Sequence, residues 1–344
     1  MLKNAMTRPP SQLRRDRRGS SPERRGLGRW CPRPGLLHTI VAGCSFVAMG
    51  SGPAHAVGPE VMVLGVAQDA GYPQAGTREH PAWEDHKLRR KAACIAVIDG
   101  QSGRRWLFEA TPDFKDQLYL LDRAAPTSRR PGLDGIFLTH GHIGHYAGLI
   151  HLGREAMGAK GVPVFAMPRM KAFLEKNGPW ELLVRLGNIK LIGITANRPI
   201  ALGPRLRVTP LLVPHRDEYT ETVGYEIQGP RKRVLFIPDV DKWEKLDRTK
   251  VRVETLIRRV DVAFLDGTFF ADGEIPGRAM SEIPHPFISE TMLRLGKLPV
   301  ETRSKVHFIH LNRTNPAIDP RSDAAKRIRT AGFKLARPLQ RVPL

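Results

Sequence analysis

The sequence predicts an α/β (α+β) fold built as one large domain. Its 344 residues alternate β-type apolar runs with amphipathic helical patterns, and the middle of the chain is rich in strands. Short connections with Gly or Pro separate these elements, and after residue 60 the sequence contains neither an internal repeat nor a linker-like stretch. Hydrophobic residues make up 41% of the chain, which is typical of a globular protein with a substantial core.

Each element follows from its local pattern. Buried strands are expected where a short apolar run stands between turn residues. In order these are 61–67, 94–99, 104–110, 135–140, 162–167, 189–194, 205–213, 222–229, 232–239, 262–269 and 305–311. Helices are expected where apolar residues recur at helical spacing, and proline interrupts them. They are 113–124, 146–158, 168–187 with a break at Gly178-Pro179, 245–260, 285–296 and 319–332.

Residues 1–56 have the pattern of a targeting segment, which leaves 57–344 as the folded domain. A basic region with ten Lys and Arg precedes the apolar stretch GLLHTIVAGCSFVAMGSG, and PAHAV offers a small-residue cleavage site after Ala56. This pattern predicts a signal peptide and export, to the periplasm. The motif VAGC, which ends at Cys44, leaves open that the protein is a lipoprotein. A further alternative is a retained or misassigned N-terminus, with a start at Met6. The apolar stretch is too short and too Gly-rich to predict a transmembrane span.

The charge and the cysteines limit the partners. The formal net charge of +21 is shared between residues 1–56 and the domain, so the domain itself is basic and an anionic small-molecule substrate is favoured. No dense Lys/Arg stripe with interleaved aromatics is present, and we therefore expect no stable nucleic-acid partner. Cleavage would leave only Cys94, which excludes an intrachain disulfide and a thiolate metal site. Oligomeric state is not indicated.

Three histidines stand within six positions, directly after a predicted strand, in FLTHGHIGHYAGL. His140 and His142 are two residues apart, so an extended backbone places both on the same face. His145 falls in the first turn of the following helix and can point back to the same place. A set of imidazoles in this arrangement predicts a metal site.

Later strands also end on residues of the metal-ligand types. Residues that carry chemistry in such folds stand where strands end and loops begin. The mixture of imidazole and carboxylate suits zinc, one or two ions, with manganese, iron and nickel as alternatives. The residues at these later strand ends are His215, Asp239, Asp266 and His310.

The order of these motifs resembles the metallo-β-lactamase superfamily. THGHIGH is followed by VPH at 213–215, IPDVD at 237–241 and FIHLN at 308–312. Over roughly residues 61–320, the phrases LGVAQDAGYPQAG, VPHRDEYTETVGYEI, FLDGTFF and HLNRTNP are similar to the coenzyme PQQ synthesis protein B family. The resemblance implies a four-layer αβ/βα sandwich with a metal site along one edge of its two sheets.

The resemblance also implies a role for each ligand. His140, His142 and His215 would form a first metal site, and His145 and His310 would belong to a second. Asp239 would bridge the two sites and orient the attacking water.

Two further residues acquire candidate catalytic roles from the resemblance. Asp266 matches a position at which an acidic residue orients a histidine. His285 is the candidate for that histidine and for a proton donor, although its place close to a helix N-terminus explains it almost as well.

One position departs from the family motif. Gly144 stands where the family has an aspartate that binds the second metal. The second site then keeps His145, Asp239 and His310, so whether it is filled stays open. Asp69, in QDAGYPQ, is either a partner of the site or a turn residue.

These observations predict a metal-dependent hydrolase of an ester, phosphoester or lactone, in which a metal activates water and His285 or Asp266 helps to protonate the leaving group. Arg216 and Arg313 stand beside ligand positions and are candidates for binding an anionic group, with ordinary ion pairs as the alternative. Two other functions remain open: an iron-dependent oxidoreductase related to PQQ biosynthesis, and a non-catalytic protein whose degenerate site binds a metal or another ligand.

Overall fold

The structure is a computed structural model that describes residues 58–344. The predicted signal peptide and its cleavage site, within residues 1–56, lie outside the described residues. Within residues 58–344, no helix is long and apolar enough to cross a bilayer.

The described strands form two seven-stranded sheets. In chain order they are β1 (Glu60–Gly65), β2 (Cys94–Asp99), β3 (Arg104–Phe108), β4 (Gly135–Phe137), β5 (Val162–Ala166), β6 (Ile189–Gly193), β7 (Ile200–Gly203), β8 (Leu206–Val213), β9 (Thr222–Gln228), β10 (Arg233–Ile237), β11 (Val262–Asp266), β12 (Val306–Ile309), β13 (Lys334–Leu335) and β14 (Arg341–Pro343). The first sheet has the order β14-β1-β2-β3-β4-β5-β6 and the second β13-β12-β11-β10-β9-β8-β7.

The helices connect and cover these sheets. They are α1 (Phe114–Ala124), α2 (Ile143–Tyr146), α3 (Pro168–Lys176), α4 (Trp180–Arg185), α5 (Trp243–Arg248), α6 (Val253–Arg258), α7 (Ile288–Leu295), α8 (Val300–Arg303) and α9 (Asp323–Thr330). Short 3-10 turns lie between them. The predicted break at Gly178-Pro179 is confirmed, because α3 ends before it and α4 begins after it.

Alternating side chains of the strands build the layers. In β1, Val61 and Val63 lie in the core between the two sheets, whereas Met62 and Leu64 lie in the core under the helices of the first sheet. β10 repeats the pattern in the second sheet, whose outer core packs against α5, α6, α7 and α9. Strands with two buried faces require apolar residues at every position, as observed. The predicted four-layer sandwich is confirmed.

Strand direction decides where the functional side chains can meet. β10, β11 and β12 are parallel, and β8 points the same way because it pairs antiparallel with β9, which pairs antiparallel with β10. By the same argument β1, β3 and β4 share one direction in the first sheet. A parallel bridge between Ala67 and Leu311 joins the end of β1 to the end of β12, so the carboxyl ends of both sheets meet at one edge.

Two predicted helices are wrong in extent. The helix expected over 146–158 is α2 followed by a 3-10 turn that ends at Leu152. The regular pattern stops because the His145 carbonyl accepts from Ala110 N and Gly148 N donates to the Ala110 carbonyl, which ties this segment to the end of β3. The helix expected over 245–260 is split into α5 and α6 at Lys250, whose φ of 65° belongs to the left-handed region.

Candidate metal centre

Four of the predicted ligands meet at the edge where the carboxyl ends of the sheets converge. We call His140, His142, His215 and Asp239 the first cluster. His142 Nδ1 lies 2.8 Å from His140 Nε2 and 3.2 Å from His215 Nε2. Asp239 Oδ2 lies 3.4 Å from His140 Nε2 and 3.3 Å from His215 Nε2. Bonds of about 2.0–2.1 Å to a tetrahedral metal place neighbouring donors roughly 3.3 Å apart, so these four atoms fit one ion.

The remaining predicted ligands lie beside the first cluster, together with one residue that sequence reasoning left undecided. We call Asp69, His145 and His310 the second cluster. Asp69 Oδ1 lies 3.1 Å from His145 Nε2 and 3.2 Å from His310 Nε2. Asp239 Oδ2 is 3.4 Å from His145 Nε2 and 4.0 Å from His310 Nε2, so this oxygen lies between the two clusters.

Buried polar atoms test whether these residues fit a metal. His145 is 1% exposed, yet neither of its ring nitrogens has an aligned hydrogen-bond partner among the described residues. Asp239 Oδ1 is also buried without one. Such atoms cost on the order of 1–3 kcal/mol each when they stay unsatisfied. A divalent cation between the carboxylates of Asp69 and Asp239 would satisfy His145 Nε2, which faces both of them, so the residues present fit a metal.

Each candidate ligand histidine has a polar neighbour at the ring nitrogen that faces away from the cluster: four of them form a hydrogen bond there, and His145 has the Glu109 carboxylate nearby without hydrogen-bond alignment. This fixes the ring and directs the other nitrogen inward, as outer partners of metal-binding histidines do. Sequence reasoning missed these partners; several of them stand at strand ends or beside a ligand. The contacts are His140 Nδ1 to Thr139 Oγ1 (2.9 Å), His142 Nε2 to Glu218 Oε2 (2.9 Å), His215 Nδ1 to Asp241 Oδ1 (3.2 Å), His310 Nδ1 to Thr268 Oγ1 (2.9 Å) and His145 Nδ1 to Glu109 Oε1 (3.3 Å).

Asp266 and His285 lie together next to Asp239. Asp266 is fully buried at the end of β11, and its Oδ2 lies 2.8 Å from His285 Nδ1. The same ring nitrogen is 3.1 Å from Asp239 Oδ1. Phe287 is the N-cap residue of α7. His285, two residues earlier, therefore lies outside the helix and faces the centre. The structure brings both residues to the site; their catalytic roles stay predictions.

The pKa values of His285 and Asp239 are set by burial and by neighbouring charges, which act in opposite directions. Burial alone would lower the pKa of His285, but Asp266 and Asp239 outweigh it and raise that pKa to about 9. Burial alone would raise the pKa of Asp239, but the histidines around it, His215, His285 and His310, hold it well below its usual range. Burial lowers the pKa of His140, with His145 adding to the effect, which favours the neutral imidazole that binds metals.

The two candidate anion-binding arginines differ in position. Arg216 Nη2 lies 3.3 Å from His142 Nδ1, on the exposed side of the first cluster. Arg313 is exposed in the loop after β12, and within residues 58–344 it forms no hydrogen bond or ion pair with either cluster. The structure therefore brings Arg216, and not Arg313, into contact with a candidate ligand.

Backbone conformation is unusual at the same edge. Glu109 has a φ of 89° and His310 a φ of 66°, in the left-handed region that residues other than glycine rarely adopt. Each such residue costs on the order of 1–3 kcal/mol, and they are typical of functional sites. The surrounding fold must therefore stabilise both positions.

Comparison with known proteins agrees with this geometry. A family model described as "Beta-lactamase superfamily domain" matches residues 104–310. Coenzyme PQQ synthesis protein B of Xanthomonas campestris pv. campestris (strain B100) is 28% identical over 309 residues, which covers 80% of this chain and 97% of that protein.

Two solved structures show the same fold. One is the crystal structure of Zn²⁺-bound PqqB from Methylobacterium extorquens, with a TM-score of 0.69 and 22% identity over 83% of this chain and 100% of that chain. The other is a diphosphatase from the PhnP family, with a TM-score of 0.55 and 19% identity over 83% of this chain and 96% of that chain. The predicted family and fold are thus confirmed, and the chain belongs to the metallo-β-lactamase superfamily.

Proposed function

We propose that this chain is a metal-dependent hydrolase of small anionic esters, phosphoesters or lactones. The observation that carries the proposal is the convergence of three imidazole nitrogens and one carboxylate oxygen in the first cluster, at the spacing of ligands to one divalent metal. Zinc is the metal we favour, since the similar PqqB structure is Zn²⁺-bound. Manganese and iron suit the same donors.

The protein's own residues supply the remaining chemistry. When bound, a divalent metal supplies Lewis acidity and makes water nucleophilic at neutral pH. Asp239 contributes an ionised carboxylate at the junction of the clusters, where it can orient the attacking water. Asp266 holds His285 through Nδ1, which leaves Nε2 of His285 to deliver a proton to the leaving group.

The position of Arg216 supports the proposal that the substrate is anionic. Its guanidinium stands on the exposed side of His142 and is half-exposed, so it can meet a substrate at the entrance to the first cluster. Planar, bidentate recognition of carboxylate or phosphate is the usual task of arginine in such a position. Arg313 remains a weaker candidate for the same task.

A second candidate function is an iron-dependent oxidoreductase. The curated relatives are named for coenzyme PQQ synthesis, which favours chemistry on a quinone precursor. Imidazoles with one carboxylate and open positions also hold Fe(II) for oxygen chemistry. The metal bound by the protein separates the two candidates.

The decisive experiment is metal analysis of the chain purified without added metal. We expect zinc or manganese in the wild type and a loss of metal in His140→Ala/His142→Ala. His151→Ala is the matched control, because His151 stacks on Phe114 and lies outside both clusters. Hydrolysis of phosphoesters, lactones and β-lactams is then compared across the three proteins.

Each outcome decides between the candidates. Bound zinc or manganese with metal-dependent hydrolysis supports the hydrolase. Bound iron with oxygen consumption favours the oxidoreductase, and bound metal without turnover favours a binding protein. Protein without metal, unable to take it up, contradicts the proposal.

We also propose that the chain is exported to the periplasm and cleaved after Ala56, on the pattern of its first 56 residues. Cell fractionation and the mass of the mature protein test this. Full-length protein confined to the cytoplasm would contradict it, and lipid attached at Cys44 would indicate a lipoprotein instead.

A further inference from the structure

Gly144 and Asp69 share one volume of the molecule. A Cβ atom built on Gly144 would lie 2.5 Å from Cβ of Asp69 and 2.6 Å from both its Cα and its Cγ. Real side-chain atoms do not approach so closely, so only glycine at 144 lets the Asp69 side chain stand where it does. The Asp69 side chain therefore fills the space into which a residue at 144 would extend.

The backbone holds Asp69 in this place. Ala67 forms a parallel bridge with Leu311, and Gln68 N donates to the Leu311 carbonyl at 2.8 Å. A tight turn follows, in which Gly71 N donates to the Gln68 carbonyl at 2.9 Å. Since Leu311 directly follows His310, this pairing carries Asp69 to the second cluster.

The side chain of Asp69 then points between two buried histidines. Its Oδ1 lies 3.1 Å from His145 Nε2 and 3.2 Å from His310 Nε2, distances that neighbouring ligands of one metal have. His145 Nε2 is buried and lacks an aligned hydrogen-bond partner, so it directs an unsatisfied atom at the same point. Asp239 Oδ2 completes the set at 3.4 Å from His145 Nε2.

We propose that Asp69 is a ligand of a second metal ion, held with His145 and His310 and shared with the first ion through Asp239. Asp69 supplies from the loop after β1 the carboxylate that the motif lacks at Gly144. It lies outside residues 104–310, the part of the chain that the family model matches. The inference rests on the proposed metal-dependent function.

Asp69 is the accessible member of the second cluster. Its side chain is 39% exposed, whereas His145 and His310 are buried. A metal ion can therefore reach the second cluster from the loop after β1.

Metal stoichiometry tests the role of Asp69 without any substrate. The purified chain is stripped with a chelator, loaded with Co²⁺ or Zn²⁺ and dialysed, and the bound metal is measured by mass spectrometry and by Co²⁺ absorption. We expect about two equivalents in the wild type and about one in Asp69→Ala and Asp69→Asn. Asp116→Ala, which removes an exposed carboxylate paired with Lys91, should keep about two equivalents like the wild type.

A variant at position 144 tests the shared volume. In Gly144→Ala the added Cβ atom would meet both the backbone and the side chain of Asp69, so the loop after β1 must shift and we expect about one equivalent, as in Asp69→Ala. His140→Ala/His142→Ala reports on the first cluster separately.

The outcomes are distinct. Two equivalents in Asp69→Ala, or one in the wild type that Asp69→Ala retains, overturn the inference and leave the proposed function standing. A Gly144→Ala variant that keeps two equivalents overturns the claim that Asp69 and a side chain at 144 cannot share this volume. A wild type that binds no metal overturns the proposed function itself.

Discussion

The two clusters of the centre are built from very different stretches of sequence. The first contains His140 and His142, two residues apart in one strand-to-helix connection. The second joins Asp69 to His310, which are 241 positions apart. It forms only after the first strand has been bridged to the end of β12. A local motif can therefore supply half of a site, whereas the other half depends on closure of the whole fold.

The clusters also differ in charge. Around the first, the outer carboxylates have basic partners, with Asp241 bound to Lys245 at 2.6 Å and Glu218 lying 3.6 Å from Arg216. In the second, Asp69 is part of the cluster, and Glu109 lies fully buried behind His145 with no Lys or Arg partner among the described residues. The carboxylates of the second cluster thus lack a Lys or Arg partner among the described residues, and a bound cation would balance their charge.

Removal of His285 should give the largest effect, because this residue contacts Asp239 at the junction of the clusters. We expect His285→Ala to lower kcat about 10²–10⁴-fold for esters with poor leaving groups and much less for those with good ones. Asp266→Asn, which keeps the shape but weakens the hold on Nδ1, should show the same dependence to a smaller degree. Rates across a leaving-group series, with metal content measured in parallel, check this. A loss that is equal for all leaving groups would assign His285 a structural role.

Replacing each of the two candidate arginines in turn compares the substrate entrances of the two clusters. Arg216 contacts His142 of the first cluster, while Arg313 follows His310 of the second without touching it. We expect Arg216→Ala to raise KM for anionic substrates about tenfold, which corresponds to one charge-assisted hydrogen bond, with little change for neutral ones. Arg313→Ala should change KM less and serves as the matched control. The reverse order would place substrate entry at the second cluster.

His307, a buried histidine outside both clusters, shows how burial and basic neighbours change the pKa of an imidazole. Burial lowers the pKa of His307 to about 4, and Lys334 and Arg337 add to the effect. The unfolded chain takes up this proton near pH 6.5 and the folded chain only near pH 4, so stability is lost as the pH falls through that window. Between pH 7.5 and 5.5 the loss from this residue is about 1.4 kcal/mol, a few degrees in Tm.

His307→Gln should remove that part of the pH dependence. Thermal unfolding of the wild type and the variant at pH 7.5 and pH 5.5 measures it. If both proteins lose the same stability between the two pH values, His307 is not responsible. His285 does not share this acid sensitivity, because the carboxylates of Asp266 and Asp239 favour its charged ring.

Local patterns predicted most of the architecture, and the misses have physical reasons. Long apolar runs such as 234–237 bury both faces, which leaves little alternative to a strand in a layered sandwich. β7, β13 and β14 went unpredicted because they are short edge strands that exist through pairing with a neighbour and carry no periodicity of their own. The helix over 245–260 was predicted without a break. Lys250 adopts a positive φ that interrupts it, and the helix propensity of lysine alone does not predict this conformation.

The sequence by itself determined the fold class, the superfamily and a set of candidate ligands, since a buried strand and the residues that end it are contiguous in the chain. Only the tertiary structure decided which of these meet, because that depends on strand direction and on pairing between distant ends. It also decided the meaning of Gly144. In the sequence this glycine is a missing carboxylate, whereas in three dimensions it is the space that Asp69 occupies. Sequence distance conceals this relationship because a side chain's neighbours are set by packing and not by position along the chain.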